Sequence, residues 1–150
     1  MTECAISVDP GAWSIAWASW AKDGFLLECG LHKFQTKSEG SEWVQSRGHG
    51  WDVLVVEKPQ IYQTNRKEID ENDLVDVATT VGMCYPLAAE IIEWYPRQWK
   101  GQVPKKVHHK KMKASALNPN DVAVLKAAKM YCNHNVLDAV GIGLRYFRRN

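Results

Sequence analysis

Hydrophobic and polar positions along this chain alternate in short blocks before they settle into longer periods. Cys4 to Asp9 is an apolar run that fits a first strand, closed by the turn Pro10-Gly11. Trp13 to Trp20 predicts a second strand, Lys22-Asp23-Gly24 carries hairpin-turn chemistry, and Phe25 to Phe34 predicts a third. Three strands joined by tight turns make an antiparallel meander. Ser38 to Gly50 is polar, with room for a short helix at 41–46. Asp52 to Glu57 is a continuous apolar strand of the kind buried on both faces in parallel pairing, and Pro59 opens a loop.

Helical spacing dominates the second half. Asn72 is the predicted N-cap of a helix whose apolar stripe is Leu74, Val77, Ala78 and Val81, with Gly82 and Pro86 both opposing its continuation. Ile91 to Tyr95 predicts another strand. Asn118-Pro119 opens a helix running through Val122, Leu125 and Ala128. After a break at Cys132-Asn133-His134, the stripe Val136, Leu137, Val140, Leu144 and Phe147 predicts a last helix, with Asp138 in its first turn. Strands first and strand–helix alternation afterwards argue for an α/β fold with a mixed sheet: antiparallel in its first three strands, parallel after, and flanked by helices.

Composition adds boundaries to this picture. At 150 residues and 45% hydrophobic content, the chain fits one domain, 1–150, with a core of its own. No apolar run reaches membrane-span length and the start lacks a signal-peptide pattern, so a cytoplasmic protein without membrane contact is expected. The four cysteines show no zinc spacing and read as reduced thiols. A net charge of +2 hides an uneven distribution. Between Arg97 and Lys113 stand seven basic residues, two histidines and no carboxylate, which suggests a polyanionic partner, although a solvated loop has the same composition. The tryptophans are expected mostly in the core.

Three acids stand out against this background. Asp9 and Glu57 each end an apolar strand, and Asp138 lies near a helix start. A carboxylate on an interior strand costs on the order of several kcal/mol unless a cation compensates it. Each has an ordinary reading as well: Asp9 as a turn initiator, Glu57 as a strand-end surface acid, Asp138 as a complement to the helix dipole. If the two strands are neighbours, the acids emerge at one sheet edge and would repel one another without a cation. Hard oxygen ligands of this kind suit Mg²⁺ or Mn²⁺, and two such ions are a standard device for phosphodiester hydrolysis.

With those residues in view, the chain resembles the RuvC-type Holliday junction resolvases of the ribonuclease-H-like superfamily, in a compact form like that of bacteriophage members. Ile6-Ser7-Val8-Asp9-Pro10-Gly11 matches the family's opening strand, and Val55-Val56-Glu57 the strand of its second acid. Glu93 to Lys100, continued by Lys105-Lys106-Val107, is similar to its strand leading into a basic DNA-binding segment, and Leu137-Asp138-Ala139 matches its final helix. The resemblance implies a ribonuclease-H-like fold and a homodimer, with the helix near Asp73 as candidate interface. It implies a Mg²⁺- or Mn²⁺-dependent endonuclease, a crossover junction endodeoxyribonuclease, acting on four-way junctions and other branched DNA. Asp9, Glu57 and Asp138 would ligate two metal ions.

The family has an acid or histidine three residues before its last Asp. Here Asn135 holds that position, with His134 beside it as the other candidate ligand. Arg97, Lys100, Lys105, Lys106, His109, Lys110 and Lys111 are the candidate DNA contacts, with Lys105 or Lys106 near the scissile phosphate. Gln60 occupies the spacing of the family's aromatic wedge, so Tyr62 is the substitute candidate, or an ordinary loop aromatic. Two other readings stay open: a non-catalytic branched-DNA-binding module, permitted by Asn135, and a ribonuclease-H-like nuclease acting on RNA–DNA hybrids.

Overall fold

The structure, a computed structural model, describes residues 3–60 and 70–148. Five strands form one mixed sheet: β1 (Glu3–Pro10), β2 (Ser14–Ala21), β3 (Leu26–Lys33), β4 (Trp51–Glu57) and β5 (Ala88–Trp94). Their order is β3-β2-β1-β4-β5, antiparallel from β1 through β3 and parallel from β1 to β4 to β5. This is the α/β mixed sheet that the apolar pattern predicts. The β2–β3 hairpin closes where expected, at Gly24, whose φ of 84° suits a residue without a Cβ.

Two helix layers cover the sheet. α1 (Lys37–Arg47) and α2 (Glu71–Cys84) pack on one face, and α5 (Pro119–Ala127) and α6 (His134–Arg148) on the other. Strand alternation assigns the side chains. Ile6, Val8, Leu54 and Val56 point to the α1/α2 layer, where they join Val44, Val81 and Leu87. Ala5 and Ser7 point toward α6, and the same period carries Asp9 to that face.

α6 sits unusually close to β1 and β2. A Cβ on Gly143 would lie 2.2 Å from the Trp20 ring, so only glycine permits the approach. Buried Ser7 fixes the height of the helix: its hydroxyl donates to the Ala139 carbonyl at 2.6 Å and accepts from Trp20 Nε1 at 2.8 Å. One hydroxyl therefore ties β1, β2 and α6 together, two residues from Asp9 and one from Asp138.

Several element limits depart from the sequence pattern. α1 is longer than the predicted 41–46, because Thr36 caps it by accepting from the Glu39 amide. α2 starts earlier than Asn72, since the Asp70 side chain accepts from the Asn72 amide and is the true N-cap. The helix also passes through Gly82 and ends at Cys84, giving way to a 3-10 turn (Tyr85–Leu87) that accommodates Pro86. α6 begins at His134, so Asp138 lies beyond its first turn and is not a dipole complement.

The largest difference is the basic segment. It is not a solvated loop, but α3 (Pro96–Lys100), α4 (Lys105–Lys111) and a π turn (Met112–Ala116). Trp17, Trp20, Trp51 and Trp99 are buried as expected, whereas Trp13 is 45% exposed. All four cysteines are free thiols. Among the described residues, no helix is long and apolar enough to cross a membrane.

Candidate active site

Strand register brings the first two acids together. β1 and β4 run parallel with Val8 opposite Val56, so the next residue of each strand, Asp9 and Glu57, emerges at the same edge. The shared alternation sets both on the α6 side, where the Ser7 tie holds Asp138. Asp9, Glu57, Asp138, Asn135, Lys100 and Lys105 line one cavity of about 220 Å³, floored by Pro10, Gly11 and Ser14.

Each carboxylate has a distinct environment. Burial, and then the negative charges of Glu57 and Asp138, hold the Asp9 carboxyl well above the usual carboxylate range. Burial also raises Glu57, opposed by the Lys100 charge and by a 2.6 Å hydrogen bond from Trp99 Nε1 to Glu57 Oε2. Asp138 is 3% exposed and has both oxygens engaged. Lys105 Nζ lies 2.6 Å from Oδ2, and His109 Nε2 lies 2.7 Å from Oδ1. For Lys105, burial opposes charge, but the bond to Asp138 and the nearby Asp9 and Glu57 outweigh it and raise the ammonium pKa.

These environments bear on the metal. Among the described residues, no group of three or more His, Cys, Asp or Glu side chains converges on one ion-sized point. The acids ring the cavity, and the Lys105 ammonium provides the cation. An oxygen-only donor set, a buried acid driven toward protonation by two like charges, and a cationic side chain drawn among them together fit a hard divalent ion. Asp9, Glu57 and Asp138 could hold it, with the Asn135 amide at the cavity wall.

The other candidates separate clearly. His134 is not in the cavity lining: it stacks on His109 with ring centroids 5.4 Å apart and 13° between planes, Nδ1 to Nδ1 at 3.3 Å. His109, expected among the DNA contacts, is 5% exposed and bonded to Asp138, so its ring is turned to the acids and not to the surface. Of Lys105 and Lys106, only Lys105 reaches the cavity. Arg97, Lys106, Lys110 and Lys111 are exposed, and Lys100 lies 5.0 Å over the Trp99 ring. Tyr62 falls outside the described residues.

Two residues at the site have parts that the sequence pattern does not assign to them. Trp99 looks like any core aromatic, and only its indole N–H gives it a part. His109 was hidden among basic neighbours. Its spacing of four from Lys105 puts both on one face of α4.

Comparison with known proteins bears on the fold. No protein-family profile matches the sequence, and no curated protein does. Solved structures do match. Thermus thermophilus RuvC in complex with a Holliday junction substrate aligns with a TM-score of 0.59 at 14% identity, over 97% of this chain and 94% of that one. A second Thermus thermophilus RuvC structure gives 0.61 at 14% identity, over 97% and 95%. The chain has the RuvC fold. The Fowlpox virus resolvase, solved with Holliday junction DNA, also aligns, at a TM-score of 0.54 and 17% identity over 97% of both chains. The likeness to RuvC therefore spans the whole sheet and both helix layers, at sequence identities too low to carry individual residues across.

Proposed function

We propose that this chain is a divalent-metal-dependent endonuclease that hydrolyses phosphodiester bonds in four-way junctions and other branched DNA. One observation carries the reading: three carboxylates from three separate elements face one polar cavity that two lysines also line, in a fold shared with resolvases solved on Holliday junctions. Asp9, Glu57 and Asp138 would hold Mg²⁺ or Mn²⁺, two ions in the full site, with the Asn135 amide oxygen as a neutral fourth ligand. Bound there, the metal supplies an activated water and neutralises charge on the phosphate and the leaving 3′-oxygen.

The chain's own residues supply the rest. Lys105 is 43% exposed on its side chain and can turn from Asp138 to a phosphate at the cavity mouth. Lys100 lines the same cavity. Arg97, Lys106, Lys110 and Lys111 extend a positive surface away from it, giving a strongly salt-dependent affinity for DNA. Tyr62 is the candidate wedge at the junction centre. Twofold symmetry would match the two scissile strands of a junction. The exposed side of α2, where Val75 is 64% exposed, supports a homodimer interface there. The enzyme would act in the cytoplasm, that of the host if phage-encoded.

A second reading, a non-catalytic branched-DNA-binding module of the same fold, is favoured by Asn135, which adds no charge to the site. Labelled four-way junction, linear duplex and RNA–DNA hybrid, each incubated with the protein and Mn²⁺, separate these readings. The nuclease reading expects paired nicks in the junction and little cutting of the other two. Tight junction binding without nicking would support the module, and preferential cutting of the hybrid would support a ribonuclease.

A further inference from the structure

The two donors on Asp138 are not equivalent. Lys105 and His109 project from the same face of α4, four residues apart, and take one carboxylate oxygen each. The Lys105 side chain is 43% exposed and ends a flexible stem, so it can leave Oδ2 when another cation or a phosphate competes for it. The His109 side chain is 6% exposed, on a short stem, and is wedged between Asp138 and the ring of His134.

The hydrogen-bond directions are consistent with a fixed orientation. A carboxylate can only accept, so His109 Nε2 carries the proton it shares with Asp138 Oδ1. That leaves His109 Nδ1 as the acceptor for Nδ1–H of His134, at 3.3 Å. The chain His134 to His109 to Asp138 therefore has one donor and one acceptor at each step. It holds Oδ1 on the His109 side and leaves Oδ2 to Lys105, which lines the cavity.

We infer that His109 is a positioning residue for metal binding: it acts through Asp138, with His134 orienting it from behind, and does not touch DNA or the reacting atoms. This rests on the proposed function, because the orientation matters only if Asp138 ligates a metal. It assigns His134 a place in the support of the site and leaves Asn135 alone at the cavity wall. Outer partners that orient a ligating group typically change metal affinity by about 10–100-fold when removed.

The test is Mn²⁺ affinity of the DNA-free protein, by calorimetry or by the electron paramagnetic resonance of free Mn²⁺, with thermal unfolding in parallel. His109→Leu fills the same space without a donor and is expected to weaken Mn²⁺ binding at least tenfold. His109→Gln can place its amide N–H where Nε2 stands and should recover affinity to within about threefold of wild type. In cleavage assays, His109→Leu should raise the Mn²⁺ concentration for half-maximal activity.

Should His109→Leu not fold, His134→Phe provides the second arm. It keeps the exposed ring stack, removes the Nδ1 partner, and is expected to weaken Mn²⁺ binding severalfold with an unchanged Tm. Wild-type Mn²⁺ affinity in a folded His109→Leu, or equal loss in the Leu and Gln variants, would overturn the proposal. With His109→Leu unfolded, unchanged affinity in His134→Phe would overturn it. Asp138→Asn keeps the two failures apart. If wild type and Asp138→Asn bind Mn²⁺ alike, the metal-site reading itself fails. If Asp138→Asn loses binding and the His109 variants do not, only the positioning role fails.

Discussion

The sheet edge at β1 and β4 and the helical segment from Pro96 to Ala116 both line the same cavity, and they build it by different means. At the sheet edge, placement follows from backbone register. Parallel pairing and a period of two bring Asp9 and Glu57 to one edge and one face whatever their side chains do. In the helical segment, placement follows from side chains: Trp99 bonds Glu57, and Lys105 and His109 bond Asp138. The sheet decides where Asp9 and Glu57 are, and the segment decides which way the oxygens of Glu57 and Asp138 point. A site divided in this way should fail differently when each side is damaged.

The largest expected effect comes from the sheet side. Glu57→Gln should lower junction cleavage on the order of 10³-fold, the rate equivalent of about 4 kcal/mol, while gel-shift affinity for the junction changes little. A comparable loss of binding would mean that Glu57 supports the surface and not the chemistry. On the other side, Trp99→Phe removes the indole donor to Glu57 Oε2 together with part of a buried ring. A loss of about tenfold in kcat with little change in KM is expected, in keeping with an outer partner. If it equals Glu57→Gln, the division between placing and aiming collapses.

pH tests the electrostatics of the sheet edge with metal absent. The Asp9 carboxyl is raised in the folded protein by burial and by Glu57 and Asp138. A carboxyl raised above its unfolded value favours folding at acid pH, and that contribution is lost as pH climbs from the ordinary carboxylate range through the raised value. The Tm of metal-free protein should therefore decline across that window. Asp9→Asn should flatten the decline, and Mn²⁺ should reverse it at neutral pH. Parallel Tm profiles for wild type and Asp9→Asn would contradict the cluster.

The smallest effect concerns the tie between the two regions. Ser7→Ala leaves Trp20 Nε1 without its partner in the core and removes the added hydrogen bond to the Ala139 carbonyl, at a cost of about 1–3 kcal/mol. For a domain of this size, each kcal/mol lowers Tm by about 2–4 °C, which differential scanning calorimetry can resolve.

The same contrast explains what could be read from the sequence. Asp9 and Glu57 are legible because a strand is a local pattern and its carboxylate end breaks that pattern visibly. Asp138 is legible as an acid near a helix start, but its role is not, because the true start at His134 puts it inside the helix. The basic segment is illegible. Seven residues rich in Lys and His after Pro104 have little helical signal of their own, and α4 is anchored instead through Lys105 and His109 to Asp138, 29 residues further on in the case of His109. Tertiary contacts of that length leave no trace in local spacing. The N-cap of α2 is ambiguous for a smaller reason, since Asp70 and Asn72 are both good caps and only the side-chain geometry selects Asp70.

The central claim is that Asp9, Glu57 and Asp138 form one metal-dependent catalytic centre on a DNA-binding surface. Cleavage and binding of the same labelled four-way junction, measured side by side for wild type and Asp9→Asn in Mn²⁺, test it most directly. The account predicts nicking by wild type, none by Asp9→Asn, and junction affinities within a few-fold of each other. Equal nicking by the two proteins would contradict it.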